Sequence, residues 1–177
     1  IPIDGGFRVS GHVGRYEVGF LNMKTRDTFG VAPANFFSVA RVKRELPNRS
    51  NVGLIAVNRQ SLTNFAGKRP FNRTFGADAN IGIGSYGNWQ NYIAMTETPG
   101  LSGSDRAVLS SFRYDNRHEQ IAISYREVGR NFNPEVGFTR RLDFRRSSAQ
   151  ARFRPPPRRK PLIRKFTYPG SFDYITD

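Results

Sequence analysis

Cysteine is absent from this sequence of 177 residues, histidine occurs twice, and aspartate and glutamate together number 14 against 28 lysines and arginines. Without cysteine there is no disulfide scaffold and no thiolate metal site, while an oxidising compartment stays open. His12 and His118 are too few for a typical zinc centre, so neither a metal nor another cofactor is expected. No apolar run approaches the roughly 20 residues of a membrane-spanning helix, which excludes helical membrane topology. Membrane β-barrels escape that test, because strands of about 10 alternating residues keep mean hydropathy low; here it is -0.56. The shortage of acid leaves a formal net charge of +14 and a pI near 11.0, unlike the surface of a typical cytoplasmic enzyme. Hydrophobic residues at 37% still suffice for a folded chain of one domain or two small ones. The first residue is Ile1, with no initiator methionine or secretory signal, which reads as a processed chain or part of a longer one.

What is present is alternation. From Thr74 to Gly84 every odd residue is apolar and every even one polar or glycine, a pattern that fits a strand and would scatter Asp78 and Asn80 on a helix. Ile121, Ile123 and Tyr125 share one side of the next clear segment, opposite Gln120, Ser124 and Arg126. Tyr16, Val18 and Phe20 oppose Arg15 and Glu17, and Glu135, Thr139, Arg141 and Asp143 alternate with Val136, Phe138, Leu142 and Phe144. Less regular candidates cover 7–13, 36–44, 51–59, 89–96 and 107–114, giving about nine strands separated by turn signals such as Val13-Gly14 and Asp115-Asn116-Arg117. Residues 58–73 and 84–103 are the longest expected loops. Pro155, Pro156 and Pro157 cannot sit inside a sheet. The predicted organisation is therefore barrel strands over 1–154, a Pro/Arg-rich loop over 155–161, and a further strand and terminus over 162–177, the strand itself at 162–168. The fold class read from this is all-β: an antiparallel meander forming a transmembrane β-barrel or a segment of one, because strands recur at a spacing long for a small sandwich.

No constellation of catalytic side chains emerges. Ser102-Gly103-Ser104 lacks the strand-to-helix setting of a nucleophile elbow, and Gly82-Ile83-Gly84 lacks a phosphate-loop lysine. Enzymatic activity is left open, and no catalytic residue is assigned. The acidic residues read instead as partners of the arginine excess: Arg15, Glu17, Asp78, Arg126, Glu135, Arg141 and Asp143 are expected to form a charged lattice on the polar interior of the barrel. Arg158, Arg159 and Lys160 form a cluster suited to an anion or a lipid headgroup. A nucleic-acid reading uses Arg113, Arg126, Arg141, Arg145, Arg152, Arg154, Arg158, Arg159, Lys160, Arg164 and Lys165 along a phosphate backbone, with Phe112, Phe144, Phe153 and Phe166 stacking on bases. It is disfavoured because no recognition motif can be placed.

Five stretches carry a family resemblance: residues 1–11 (IPIDGGFRVSG), 14–25 (GRYEVGFLNMKT), 35–44 (NFFSVARVKR), 49–55 (RSNVGLI) and 129–138 (GRNFNPEVGF). In this order they resemble the outer-membrane β-barrel region of the bacterial family of DUF5916 domain-containing proteins. The resemblance implies the outer membrane of a Gram-negative bacterium, contact with outer-membrane lipid, and the remainder of a larger barrel or a neighbouring chain as partner. It brings no catalytic residues. The function expected is an outer-membrane barrel segment, with passage of an anionic solute or surface binding by its arginine-rich interior. The alternative is a soluble all-β module that binds nucleic acid or acidic glycans.

Overall fold

The computed structural model describes residues 2–28, 33–63, 70–155 and 167–177. Ten strands are present: β1 (Ile3–Val13), β2 (Tyr16–Thr25), β3 (Asn35–Leu46), β4 (Ser50–Ser61), β5 (Phe71–Ile83), β6 (Gly87–Glu97), β7 (Arg106–Asp115), β8 (Glu119–Val128), β9 (Phe144–Phe153) and β10 (Tyr168–Thr176). They form one antiparallel sheet in chain order, the all-β meander that alternation predicts.

The expected barrel is not formed. β1 pairs with β2 and β10 with β9, and among the described residues no ladder joins β10 back to β1. The sheet is open, and the fold class is corrected from a transmembrane barrel, or a segment of one, to an open ten-stranded meander. No helix among the described residues is long and apolar enough to cross a membrane.

Tight turns close one end of the sheet. Gly14, at φ +59°, joins β1 to β2 in a two-residue hairpin whose flanking residues Val13 and Tyr16 pair, a conformation glycine adopts without strain. Between β7 and β8 the side-chain oxygen of Asn116 accepts hydrogen bonds from the amides of His118 (2.8 Å) and Glu119 (2.6 Å), an Asx turn that fixes the reversal. The connections at the opposite end are longer, and the longest described one spans 129–143.

Two local expectations are corrected here. Residues 135–143 lie in that connection rather than in a strand, and the following strand, β9, begins at Phe144. Long-range anchors override the local alternation: Phe132 is buried against Ala107 and Val128, and the buried Asn72 donates to Asn133 O at 2.8 Å. β6 extends the strand candidate at 89–96, so the loop expected over 84–103 reduces to a turn before Gly87 and a connection after Glu97. The strand expected at 162–168 lies almost wholly outside the described residues, as does most of the Pro/Arg-rich loop; the last described strand runs from Tyr168 to Thr176.

Register sorts the side chains onto two faces. Val9, Phe20, Ala40, Ala56, Phe75 and Met95 follow one another across β1 to β6, and Ile123, Ala149 and Phe172 continue that face over β8 to β10. Many of these apolar residues are exposed, and they do not meet one another across a dry centre. The other face carries Arg41, Arg59, Asp78, Ser124, Arg126 and Gln150, and it is the more crowded. A Cβ built on Gly53 would stand 2.9 Å from an Asp78 carboxylate oxygen, whereas one on Gly5 or Gly11 of the apolar face would meet nothing. The buried hydrophobic core among the described residues is small, comprising Ala107, Val128 and Phe132.

Crowding on the polar face yields a stability prediction. The turn between β3 and β4 leans over Gly82, whose carbonyl accepts from Asn48 Nδ2 and whose amide donates to Ser50 Oγ at 2.9 Å. A methyl group at Gly82 would overlap the Asn48 carbonyl oxygen. Gly82→Ala is expected to cost about 2 kcal/mol, as overpacking against backbone does. Chemical denaturation checks it, and an unchanged midpoint would show that the turn yields freely.

Candidate anion-binding face

The polar face of β7 to β10 is a grid of side chains set by register. One row reads Asn88, Arg113, Ala122, Gln150 and Ser171 across β6 to β10. The next row toward the long connections reads Gln90, Ser111, Ser124, Ser148 and Asp173, and the following one Tyr92, Leu109, Arg126, Arg146 and Ile175. Ser124 and Ser148 share a hydrogen bond of 2.8 Å. Four arginines, Arg113, Arg126, Arg146 and Arg152, thus share a surface with the carboxylates of Asp115 and Asp173.

Those two carboxylates are already engaged. Arg146 Nε donates to Asp173 Oδ1 at 2.8 Å and Arg146 Nη2 to Asp173 Oδ2 at 2.5 Å, a bidentate pair that holds the Asp173 carboxyl below the usual carboxylate range. Asp115 accepts from Gln120 Nε2 at 2.7 Å, and Gln120 Oε1 in turn accepts from Arg152 Nη1 at 3.1 Å. Arg113 and Arg126 have no carboxylate partner among the described residues. Arg126 stands directly opposite Arg146, a like-charge pair in which Asp173 balances Arg146 and leaves Arg126 without a counter-charge of its own. A cavity of about 460 Å³ opens on this grid, lined by Arg113, Gln120, Gln150, Arg152 and Ser171.

The residues expected in a single charged lattice are distributed instead. Glu17 accepts from Lys43 Nζ at 3.3 Å and Asp78 from Arg41 at 2.8 Å, both on the polar face of the early strands. Glu135 pairs with Arg59 from within the 129–143 connection. Arg15 sits in the first hairpin turn, where its carbonyl accepts from the Glu45 amide. Arg141 reaches Asp177 and lies 5.5 Å above the Phe144 ring, and Asp143 ends the connection at φ +53°. The structure therefore separates Arg15 from Arg126 and Arg141, which line one cavity beside the 129–143 connection. Arg158, Arg159 and Lys160 lie outside the described residues.

Arg41, Arg59, Arg146 and Asp173 are missing from the site read from sequence. Arg146, Ser148, Gln150 and Arg152 alternate with Ser147, Ala149, Ala151 and Phe153, a period-2 signal that the density of arginine masks. The stacking partners of the nucleic-acid reading divide between the faces: Phe112 and Phe153 lie on the apolar face, opposite Arg113, Arg126 and Arg152, whereas Phe144 lies on the polar face under Arg141. Phe166 lies outside the described residues. Among the described residues no group of three or more metal-ligating side chains occurs.

A second ionic cluster marks the edge of the apolar face. Glu127 accepts from the Tyr125 hydroxyl at 2.7 Å and from Arg106 at 3.3 Å. The hydroxyl's hydrogen bond, then that of Arg106, holds the Glu127 carboxyl below its ordinary range, and the same bond raises the Tyr125 phenol. A lowered folded value means that Glu127 contributes its full stabilisation above the ordinary carboxylate range and loses it as pH falls through the lowered value. Tyr125 contributes below the ordinary phenol range and loses that contribution as pH rises through its raised folded value. Melting temperature is thus expected to fall on acidification below the carboxylate range, and less steeply in Tyr125→Phe. An identical acid slope in that variant would assign the loss elsewhere.

These features define an all-β sheet module with one apolar and one arginine-rich face. No family model, curated protein or solved structure matches the chain. The resemblance to the DUF5916 domain-containing family is therefore not supported. The expected outer-membrane location, lipid contact and barrel-completing partner rested on that family and on the barrel architecture, and they are corrected with them.

Proposed function

We propose that this module binds an acidic polysaccharide along the polar face of β7 to β10. The observation that carries the reading is the surplus of guanidinium groups there: among the described residues Arg113 and Arg126 have no carboxylate partner, and Arg126 faces Arg146 across the strands. Arg152 faces Gln120 on β8, six residues from Arg126 and about 20 Å along a strand, so one ligand that reaches both arginines is an extended polyanion rather than a small ion. Between them the face offers serine and glutamine, which donate to and accept from hydroxyl groups. Of the three described stacking candidates only Phe144 shares a face with these arginines, while Phe112 and Phe153 lie on the other; that weighs against single-stranded nucleic acid, whose binding relies on successive stacking beside the phosphate track.

Affinity electrophoresis in polygalacturonate, dextran and single-stranded DNA tests the reading. Retardation by polygalacturonate alone, weakening as salt rises, is the expected result. Equal retardation by DNA and polygalacturonate would reduce the specificity to charge, and no retardation by either would overturn the proposal.

A further inference from the structure

The 129–143 connection does more than link β8 to β9: it folds against the polar face and borders an open cavity of about 450 Å³. That volume falls within the range of small-molecule sites. Its sheet side is apolar, with Tyr92, Ala107, Val128 and Phe144, and Phe132 closes it from the connection. Three guanidinium groups also line it. Arg141 is held by Asp177 and by the Phe144 ring, whereas Arg126 and Arg140 have no carboxylate among the described residues. Phe138, also in the lining, is 86% exposed, an apolar ring with nothing packed on it.

Resting on the polysaccharide reading, we infer that this cavity seats one uronate ring of the acidic chain. A pyranose has an apolar face of C–H groups and a rim of hydroxyls, which suits an aromatic floor. Its carboxylate suits paired guanidiniums, whose planar forks match carboxylate geometry. Phe138 then covers the sugar face from the side of solvent. The arginine grid beyond Arg126 supplies the track for the following units, so the cavity sets where the chain is gripped and the grid sets how strongly a long chain is held.

Calorimetry with a galacturonate trisaccharide, a galactose trisaccharide and polygalacturonate separates this inference from the reading beneath it. Arg140 and Phe138 are exposed residues of the connection, so Arg140→Gln and Phe138→Ala are expected to keep the parent melting temperature. The acidic trisaccharide is expected to bind and the neutral one not. Trisaccharide affinity is expected to fall about tenfold in Arg140→Gln and about fivefold in Phe138→Ala, with a smaller loss for the polymer. Polymer binding alongside trisaccharide affinities that ignore both substitutions would overturn the cavity and leave the face standing. Equal binding of the galactose trisaccharide would also overturn it, and absence of polymer binding would remove both.

Discussion

Phe132→Ala is expected to lower stability by about 3 kcal/mol, the lower end for losing a buried aromatic ring. Phe132 is 7% exposed and forms, with Ala107 and Val128, the buried apolar cluster among the described residues. Its loss leaves the first part of the 129–143 connection held mainly by polar contacts. Among these are the Asn72 side chain on Asn133 O, the Asn133 amide on Thr96 Oγ1 at 3.0 Å, the Asn131 amide on Ser104 O at 3.0 Å and the Glu135–Arg59 ion pair. Hydrogen exchange reads the result directly. Amides of Asn131 and Asn133 are expected to lose protection while those in the middle of β4 and β5 retain it, because the connection opens as a local unit. Unchanged protection at Asn131 would show that the hydrogen bonds hold the segment without the ring.

For Arg126→Glu the expected effects on stability and binding have opposite signs. The substitution converts a like-charge cross-strand pair with Arg146 into an opposite-charge one, a gain of about 0.5 kcal/mol. It also changes the charge of the proposed binding face by two units and removes a guanidinium from both the arginine grid and the cavity. Polygalacturonate affinity is expected to fall more than tenfold, with a shallower dependence on salt, while the denaturation midpoint rises or holds. A residue retained for folding gives the reverse: a lower midpoint and little change in binding. Midpoint and affinity measured on the same preparation distinguish the two.

The strands were largely legible because alternation is a local property. Period 2 in 74–84 and in 120–126 predicts β5 and β8, and glycine or asparagine punctuation predicts the turns at Gly14 and Asn116. The same rule failed at 135–144, where Val136, Phe138 and Leu142 alternate with polar residues but buried anchors from Phe71–Ile83 and Arg106–Asp115 draw the segment across the sheet. It also passed over β9, whose six apolar or small positions are diluted by Arg145, Arg146 and Arg152. Closure was beyond the reach of periodicity, since a barrel wall and an open sheet have the same strand pattern and differ in whether the first and last strands pair.

The candidate site shows the same division. The excess of arginine over carboxylate is a matter of composition, and a polar face of alternating strands follows from period 2; both are fixed by the order of residues along the chain. Which arginine meets which carboxylate depends on register, and one residue of slip would reverse the faces. Tertiary structure alone placed Arg126 opposite Arg146, gave Asp173 to Arg146 and Glu135 to Arg59, and folded the 129–143 connection over the end of the sheet. Those contacts join residues distant in sequence, and their energies arise from pairing and burial that no local window contains.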